Sequence, residues 1–210
     1  MNAATRGAGF LRGAVAALLL AAALPACWVT ETSNGDLDQG PGSEYAQPER
    51  IRENIRKLGE ELPPPVSDSI IWELCQAGKD ALPFLIEALQ DESPTRRSRV
   101  LITLGNFRDP DIVKHIAPFL TDSDPQIHLV AAAAMVRQGY RDGIPVLIRG
   151  LRNEDLRRRE WCGLCLFDAT GLHFGFHAND PLDRREFSIR KWEEWWKAEG
   201  VTFSMSPRGQ

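Results

Sequence analysis

The chain is short of the residues that do chemistry. It has 4 Cys and 4 His in 210 residues. It contains no His-Glu-x-x-His, no nucleophile elbow and no Gly-rich loop of the phosphate-cradling kind. Those gaps remove the motif evidence for metalloprotease, serine-hydrolase and P-loop chemistry. Nothing in it reads as a strand. Long apolar runs are confined to Ala14–Leu24, and no second hydrophobic span follows. Positive charge is not in excess: 25 Lys and Arg face 29 Asp and Glu, for a formal net charge of −4. Arg6 and Arg12 are the only charged residues before Cys27, so the chain from Cys27 onward has 23 basic and 29 acidic side chains, a net charge of −6. An acidic chain is a poor nucleic-acid binder, and none is expected as a partner.

What is present is a period. Asp80, Asp111 and Asp142 are 31 residues apart, as are Leu89, Leu120 and Leu151, and Ser93, Asp124 and Asp155. Self-similarity at that spacing marks a stacked repeat. Each unit divides into two helices. The first has apolar residues at i, i+3, i+4 and i+7: Leu82, Leu85, Ile86 and Leu89, then Val113, Ile116, Ala117 and Leu120, then Ile144, Leu147, Ile148 and Leu151. A polar turn follows. Ser93, Asp124 and Asp155 stand where the second helix needs an N-cap, with Pro94 and Pro125 at its first position. The second helix is rich in small and apolar residues, most clearly Ala131–Ala134.

This pattern resembles the HEAT repeat over Asp80–Gly171, which implies an all-α fold: an α-solenoid of stacked helix pairs. In that family the second helix usually begins with Arg, after a turn Asp. Those columns read Arg97, His128 and Arg159, and Asp91, Asp122 and Asn153. The resemblance implies a hydrogen-bonded ladder between units along them. Some HEAT-like proteins are iron hydroxylases with paired His-Glu dipeptides, and this chain has no His-Glu.

The ends of such a stack need covering. Upstream, Pro48–Leu58 and Val66–Ala77 read as a degenerate first unit, since Ile51, Ile55 and Leu58 lie 31 residues before Leu82, Ile86 and Leu89. That makes about four helix pairs over 48–171. Downstream, 172–200 holds a loop and a helix from about Leu182 to Ala198 with Trp192, Trp195 and Trp196 on one face. Thr170, Gly171, Phe174, Gly175 and these Trp residues resemble the ending of some bacterial HEAT-like proteins. The segment is expected to be a structural cap, and 201–210 a flexible tail.

The N-terminus reads as an address. Arg6 and Arg12 precede an apolar core that ends in Leu24-Pro25-Ala26-Cys27. This resembles a lipoprotein lipobox, which implies a signal peptide over 1–26 and lipid attachment at Cys27. An ordinary signal cleaved near Ala26 is the alternative. Residues 27–47 then form a lipid-anchored flexible tether. The expected location is the cell envelope, and Trp28 after the Cys favours the outer membrane facing the periplasm.

Two clusters invite other readings. Trp161-Cys162-Gly163-Leu164-Cys165 has the spacing of a thiol redox motif, but it lies inside a repeat helix, and Cys162 and Cys165 align with the core residues Ala131 and Ala134. His173 and His177 flank Gly175 in a loop that is expected at the surface rather than at a metal. The preferred reading is a non-catalytic, protein-binding scaffold with no cofactor and no metal. Its expected contact column is the exposed second-helix positions Arg97, Ser98, His128, Leu129, Arg159 and Glu160. The alternatives are a thiol–disulfide factor using Cys162 and Cys165, or an envelope glycan binder using the Trp192, Trp195 and Trp196 face.

Overall fold

The computed structural model describes residues 44–107 and 109–205. The expected signal peptide, Cys27 and the expected tether up to residue 43 lie outside the described residues. Among the described residues there is no strand, and the fold is an all-α solenoid. Four helix pairs follow one another: α1 (Pro48–Lys57) and α2 (Pro64–Gln76), α3 (Leu82–Ala88) and α4 (Pro94–Leu104), α5 (Val113–Ile116) and α6 (Pro125–Arg137), α7 (Ile144–Gly150) and α8 (Leu156–Thr170). A last helix, α9 (Leu182–Trp195), runs into a wider turn, Trp196–Gly200.

The polar turns start the second helices as their side-chain chemistry requires. Ser93 Oγ accepts from the Arg96 N–H (3.3 Å), Asp124 Oδ1 from Gln126 (2.8 Å) and Asp155 Oδ1 from Arg158 (2.9 Å). Each satisfies an N–H that the helix leaves unpaired. Short 3-10 turns lead into the first helices at Gly78–Ala81, Pro110–Ile112 and Arg141–Gly143, and they hold Asp80, Asp111 and Asp142.

The second unit departs from the expected regular first helix. α5 is only four residues long and continues as a 3-10 turn, Ala117–Thr121. Pro118 stands where the neighbouring units have Glu87 and Arg149. It has no N–H to extend the helical ladder, so the chain tightens there.

Second helices lie side by side, α2 on α4, α4 on α6 and α6 on α8, while α1 packs on α3 and α7 on α9. One continuous core runs through the stack, from Ile51 and Leu58 through Leu85, Leu101, Ile116 and Ile127 to Leu147, Leu166 and Trp192. Two residues from the expected flexible segments 27–47 and 201–210 are packed. Tyr45 sits edge-on to Trp72 at 5.6 Å, beneath Arg50 at 4.7 Å, and Phe203 packs on Trp195 at 5.4 Å. Aromatic contact holds both residues against the stack.

Candidate functional site

The turn columns explain each other. The side chains of Asp91, Asp122 and Asn153 accept from the N–H groups of Ser93, Asp124 and Asp155 at 2.8, 2.8 and 2.9 Å. An amide oxygen serves as well as a carboxylate here, so Asn153 is no real departure. Arg97 Nη1 donates to the carbonyls of Asp91 (2.8 Å) and Glu92 (3.0 Å). Arg159 Nη1 donates to Asn153 and Glu154, both at 2.8 Å. These bonds close each unit's own turn. Arg159 Nε also donates to the Ala178 carbonyl at 3.1 Å, in the loop after α8, so on this column the last repeat is tied to the segment that follows it. His128 is too short to repeat the pattern. Its Nε2 is buried without a partner, and its pKa is lowered by burial and by Arg149.

The proposed contact column also needs correcting for exposure. Ser98 and Leu129 are 4% and 7% exposed and belong to the interior. Arg97, His128, Arg159 and Glu160 are half-buried, and the two Arg heads are engaged by turn carbonyls and, for Arg159, by the Ala178 carbonyl as well. At adjacent positions of a helix start, the second residue turns toward the core in the first two units, and in the third Glu160 stays half-buried.

Contacts between units come from other residues. Arg99 Nη1 donates to the carbonyls of Leu58 (2.8 Å) and Glu60 (2.6 Å). Arg96 pairs with Asp91 and reaches the Arg56 carbonyl at 3.3 Å. Arg137 Nη2 donates to Asn106 Oδ1 at 2.6 Å, and Gln138 Nε2 to the carbonyls of Leu104 (3.0 Å) and Phe107. Asn106 and Arg137 are one repeat apart, as are Phe107 and Gln138. A polar period late in the second helices was the available signal.

The second helices also present a surface of their own. Ile102, Ala133 and Leu164 hold one register position of the repeat. The first two are 8% and 3% exposed, whereas Leu164 is 38% exposed, and Phe167 one turn on is 47% exposed. Trp72 on α2 is 39% exposed at the other end. Between them, α4, α6 and α8 enclose a small recess floored by Ile102, Val130 and Ala133 and edged by Asn106, Arg137 and Trp161. A wider cleft of about 360 Å³ separates Gly139–Asp142 from Phe203–Met205.

The cysteines do not form a reactive pair. Cys162 and Cys165 are both free thiols, Cys162 wholly buried and Cys165 half-buried against the core. Burial pushes the Cys162 thiol up to about 12, and Cys75 likewise. A thiol held there is protonated at neutral pH and is a poor nucleophile. The thiol–disulfide alternative loses its basis.

The Trp face is likewise interior. Trp192 and Trp195 are 1% and 8% exposed, and Trp196 is half-buried. Phe174 meets Trp192 edge-on at 4.8 Å, and Trp192 meets Trp195 at 5.6 Å. Rings so covered cannot stack on a sugar, which removes the platform of the glycan alternative. The loop before α9 is not merely superficial either. Phe176 is buried, and Phe174 takes a left-handed φ of 48°, followed by Gly175 at 74°. That costly backbone turns the Phe174 ring inward. Ser188 Oγ fixes the turn by donating to the Gly175 carbonyl at 3.1 Å. His173 and His177 point outward, with ring centres 5.2 Å apart.

A family model described as HEAT repeats matches residues 82–166, from the start of α3 to the middle of α8. It supports a HEAT-repeat protein. No curated protein matches the chain.

Proposed function

We propose that this protein is a non-catalytic scaffold that binds another protein through the surface of its second helices, exported and held to the envelope membrane by a lipid on Cys27. HEAT repeats generally mediate protein–protein contacts and are typically non-enzymatic. The observation that carries the reading is the strip Ile102, Ala133 and Leu164. It is covered in the middle of the stack and opens onto an exposed Leu164 and Phe167 at its end. Leu164 and Phe167, one turn apart on α8, leave an exposed apolar pair of the kind that contact surfaces use. The lipid anchor rests on Leu24-Pro25-Ala26-Cys27.

Photo-crosslinking in intact cells tests the first half. A benzophenone residue at Leu164 should capture a discrete partner, and one at exposed Lys191 on α9 should not. Equal capture from both, or none from Leu164, rejects the surface. Intact mass tests the second half: membrane-extracted protein should begin at Cys27 with a diacylglyceryl adduct, and Cys27→Ala should release or stall it. A soluble, unlipidated wild-type product rejects the anchor.

A further inference from the structure

The outer face of α8 carries an apolar strip. At about 100° per residue, Leu156, Glu160, Leu164 and Phe167 share one side of the helix. Leu156, Leu164 and Phe167 are 45%, 38% and 47% exposed. The strip runs about 16 Å along the helix axis, or about three turns.

The inner units show what those positions meet. Glu160, Leu164 and Phe167 correspond to Leu129, Ala133 and Val136 one unit earlier, and to Ser98, Ile102 and Gly105 two units earlier. All six are buried. The unit that follows lies on them: Leu129 and Val136 face Gly150 and Gly143, and Ala133 shares a recess with Trp161. After the fourth unit, the loop before α9 takes that place only in part. Phe176 packs against Gly163, the Ala178 carbonyl accepts from Arg159, and His173 meets Phe167 edge-on at 6.4 Å. Leu156, Leu164 and Phe167 stay open to solvent.

Glu160 departs from its column, whose other members are the uncharged Ser98 and Leu129. It is half-buried in the middle of the strip and makes no hydrogen bond or ion pair among the described residues, although Arg157 is one turn away. A cover of apolar side chains alone would bury that carboxylate unpaired, which is strongly unfavourable. Whatever covers the strip must bring a cation to its middle. A second copy of this chain does not fit that need. In a two-fold pairing of the strip with itself, the two Glu160 carboxylates would lie near the axis and repel.

We propose that this strip docks an amphipathic helix of another protein, apolar along one face with a Lys or Arg among its apolar residues. That helix stands in for a further unit of the stack. Its apolar residues cover Leu156, Leu164 and Phe167, and its cation pairs with Glu160. The proposal rests on the reading that the second-helix surface binds protein, and it adds the form and charge of what is bound.

The test is a phage-displayed library of single helices, randomised along one face of an alanine-rich host and selected against the full-length protein in detergent. Enriched helices should carry large apolar residues at helical spacing with a Lys or Arg between them. A dye-labelled synthetic copy of one should bind about tenfold more weakly to Phe167→Ala and to Glu160→Gln. Changing the peptide's cation to Gln should cost about tenfold against wild type and nothing further against Glu160→Gln. Glu194→Gln, at an exposed residue of α9, should bind like wild type. Glu160→Gln keeps the size of the side chain, so it carries the test if Phe167→Ala melts early. Enriched helices without a cation, an additive loss in Glu160→Gln, no enrichment at all, or a Leu164 crosslink to a second copy overturns the proposal. If Leu164 still captures a different protein in cells, the scaffold reading survives that failure. If it does not, both fall.

Discussion

The first-helix and second-helix layers end differently. α7, the last helix of the first layer, is almost wholly enclosed: Ile144, Val146, Leu147 and Ile148 are all buried. α9 lies against it. α8, the last helix of the second layer, buries Trp161, Cys162 and Leu166 but leaves Leu164 and Phe167 exposed. One repeat earlier the balance is reversed. α6, between α4 and α8, buries every residue from Leu129 to Val136, while α5 is short and irregular. The same 31-residue frame is thus enclosed or open according to its neighbours. The chain devotes an aromatic cluster to closing one layer and covers the other only in part, with Phe176 against Gly163 and the Ala178 carbonyl on Arg159.

The sharpest way to break that comparison is to truncate one large side chain in each place. Trp192→Ala removes a ring that is 1% exposed and touches Phe174 and Trp195. It should cost about 3–5 kcal/mol, lowering the melting temperature by roughly 10 °C for a chain of this size. Phe167→Ala, at a residue 47% exposed, should cost well under about 1 kcal/mol and weaken partner capture. Equal losses of stability would mean that α8 is closed as firmly as α7.

Gly143→Ala probes the spacing between layers. A Cβ there would lie 2.2 Å from the Ala132 carbonyl oxygen of α6, a backbone atom that cannot swing aside. The equivalent residues are Ala81 and Ile112, so only the third unit approaches its neighbour this closely. The expected loss is about 1–3 kcal/mol, read by chemical denaturation. A neutral result would show that the turn can back away and that close approach is not what buries α7.

The repeat block was legible because burial recurs with the period. Ile51, Leu85, Leu89 and Leu147 could be placed from spacing alone, and so could the N-caps. The contact column was less legible. Adjacent positions such as Arg97 and Ser98 differ by a hundred degrees around a helix, so an error of one residue exchanges surface for core. Arg97 and Arg159 look like ladder residues in sequence; both bind carbonyls five and six residues back, and Arg159 alone also reaches forward, to the Ala178 carbonyl. Pro118 was visible, and its position late in the first helix could have shown that α5 breaks. The inward turn of Phe174 could not be read, because it depends on a left-handed backbone that Ser188 fixes thirteen residues on.

Arg152 offers a subtler handle on the closed layer. Its guanidinium donates to Glu186 (2.9 Å) and Glu193 (2.6 Å) on α9. Hydrogen bonds from Arg152 hold the Glu186 carboxyl below its ordinary range. A folded-state pKa below the unfolded value means stability that is present above the ordinary Glu pKa and is lost as pH falls through the lower one. Arg152→Gln should therefore cost about 1 kcal/mol near neutral pH, a small figure because the pair is a third exposed. The gap between wild type and variant should shrink below about pH 4. A gap unchanged in acid would mean that Arg152 acts through packing of its stem rather than through charge.

The smallest expected effect is a gain. His128 stands in the column where Arg97 and Arg159 close their turns, and its Nε2 has no partner. His128→Arg should let a guanidinium reach the carbonyls of Asp122 and Ser123 as its counterparts reach theirs. Two such bonds would add about 1 kcal/mol, and repulsion from Arg149, which already helps lower the His128 pKa, should reduce the gain to about half that. The pH behaviour separates this from a general packing effect. His128 has its pKa lowered in the folded state, chiefly by burial, so the unfolded chain takes up its proton first. Wild type loses that stability as pH falls below the ordinary value of 6.5 toward the lower folded one. Arg does not titrate there, so the variant should be flat across the same window and its advantage should widen on mild acidification. If His128→Arg is instead destabilised at every pH, the irregular second unit has no room for the longer side chain. Its His is then a fit to the Pro118 break rather than a missing staple.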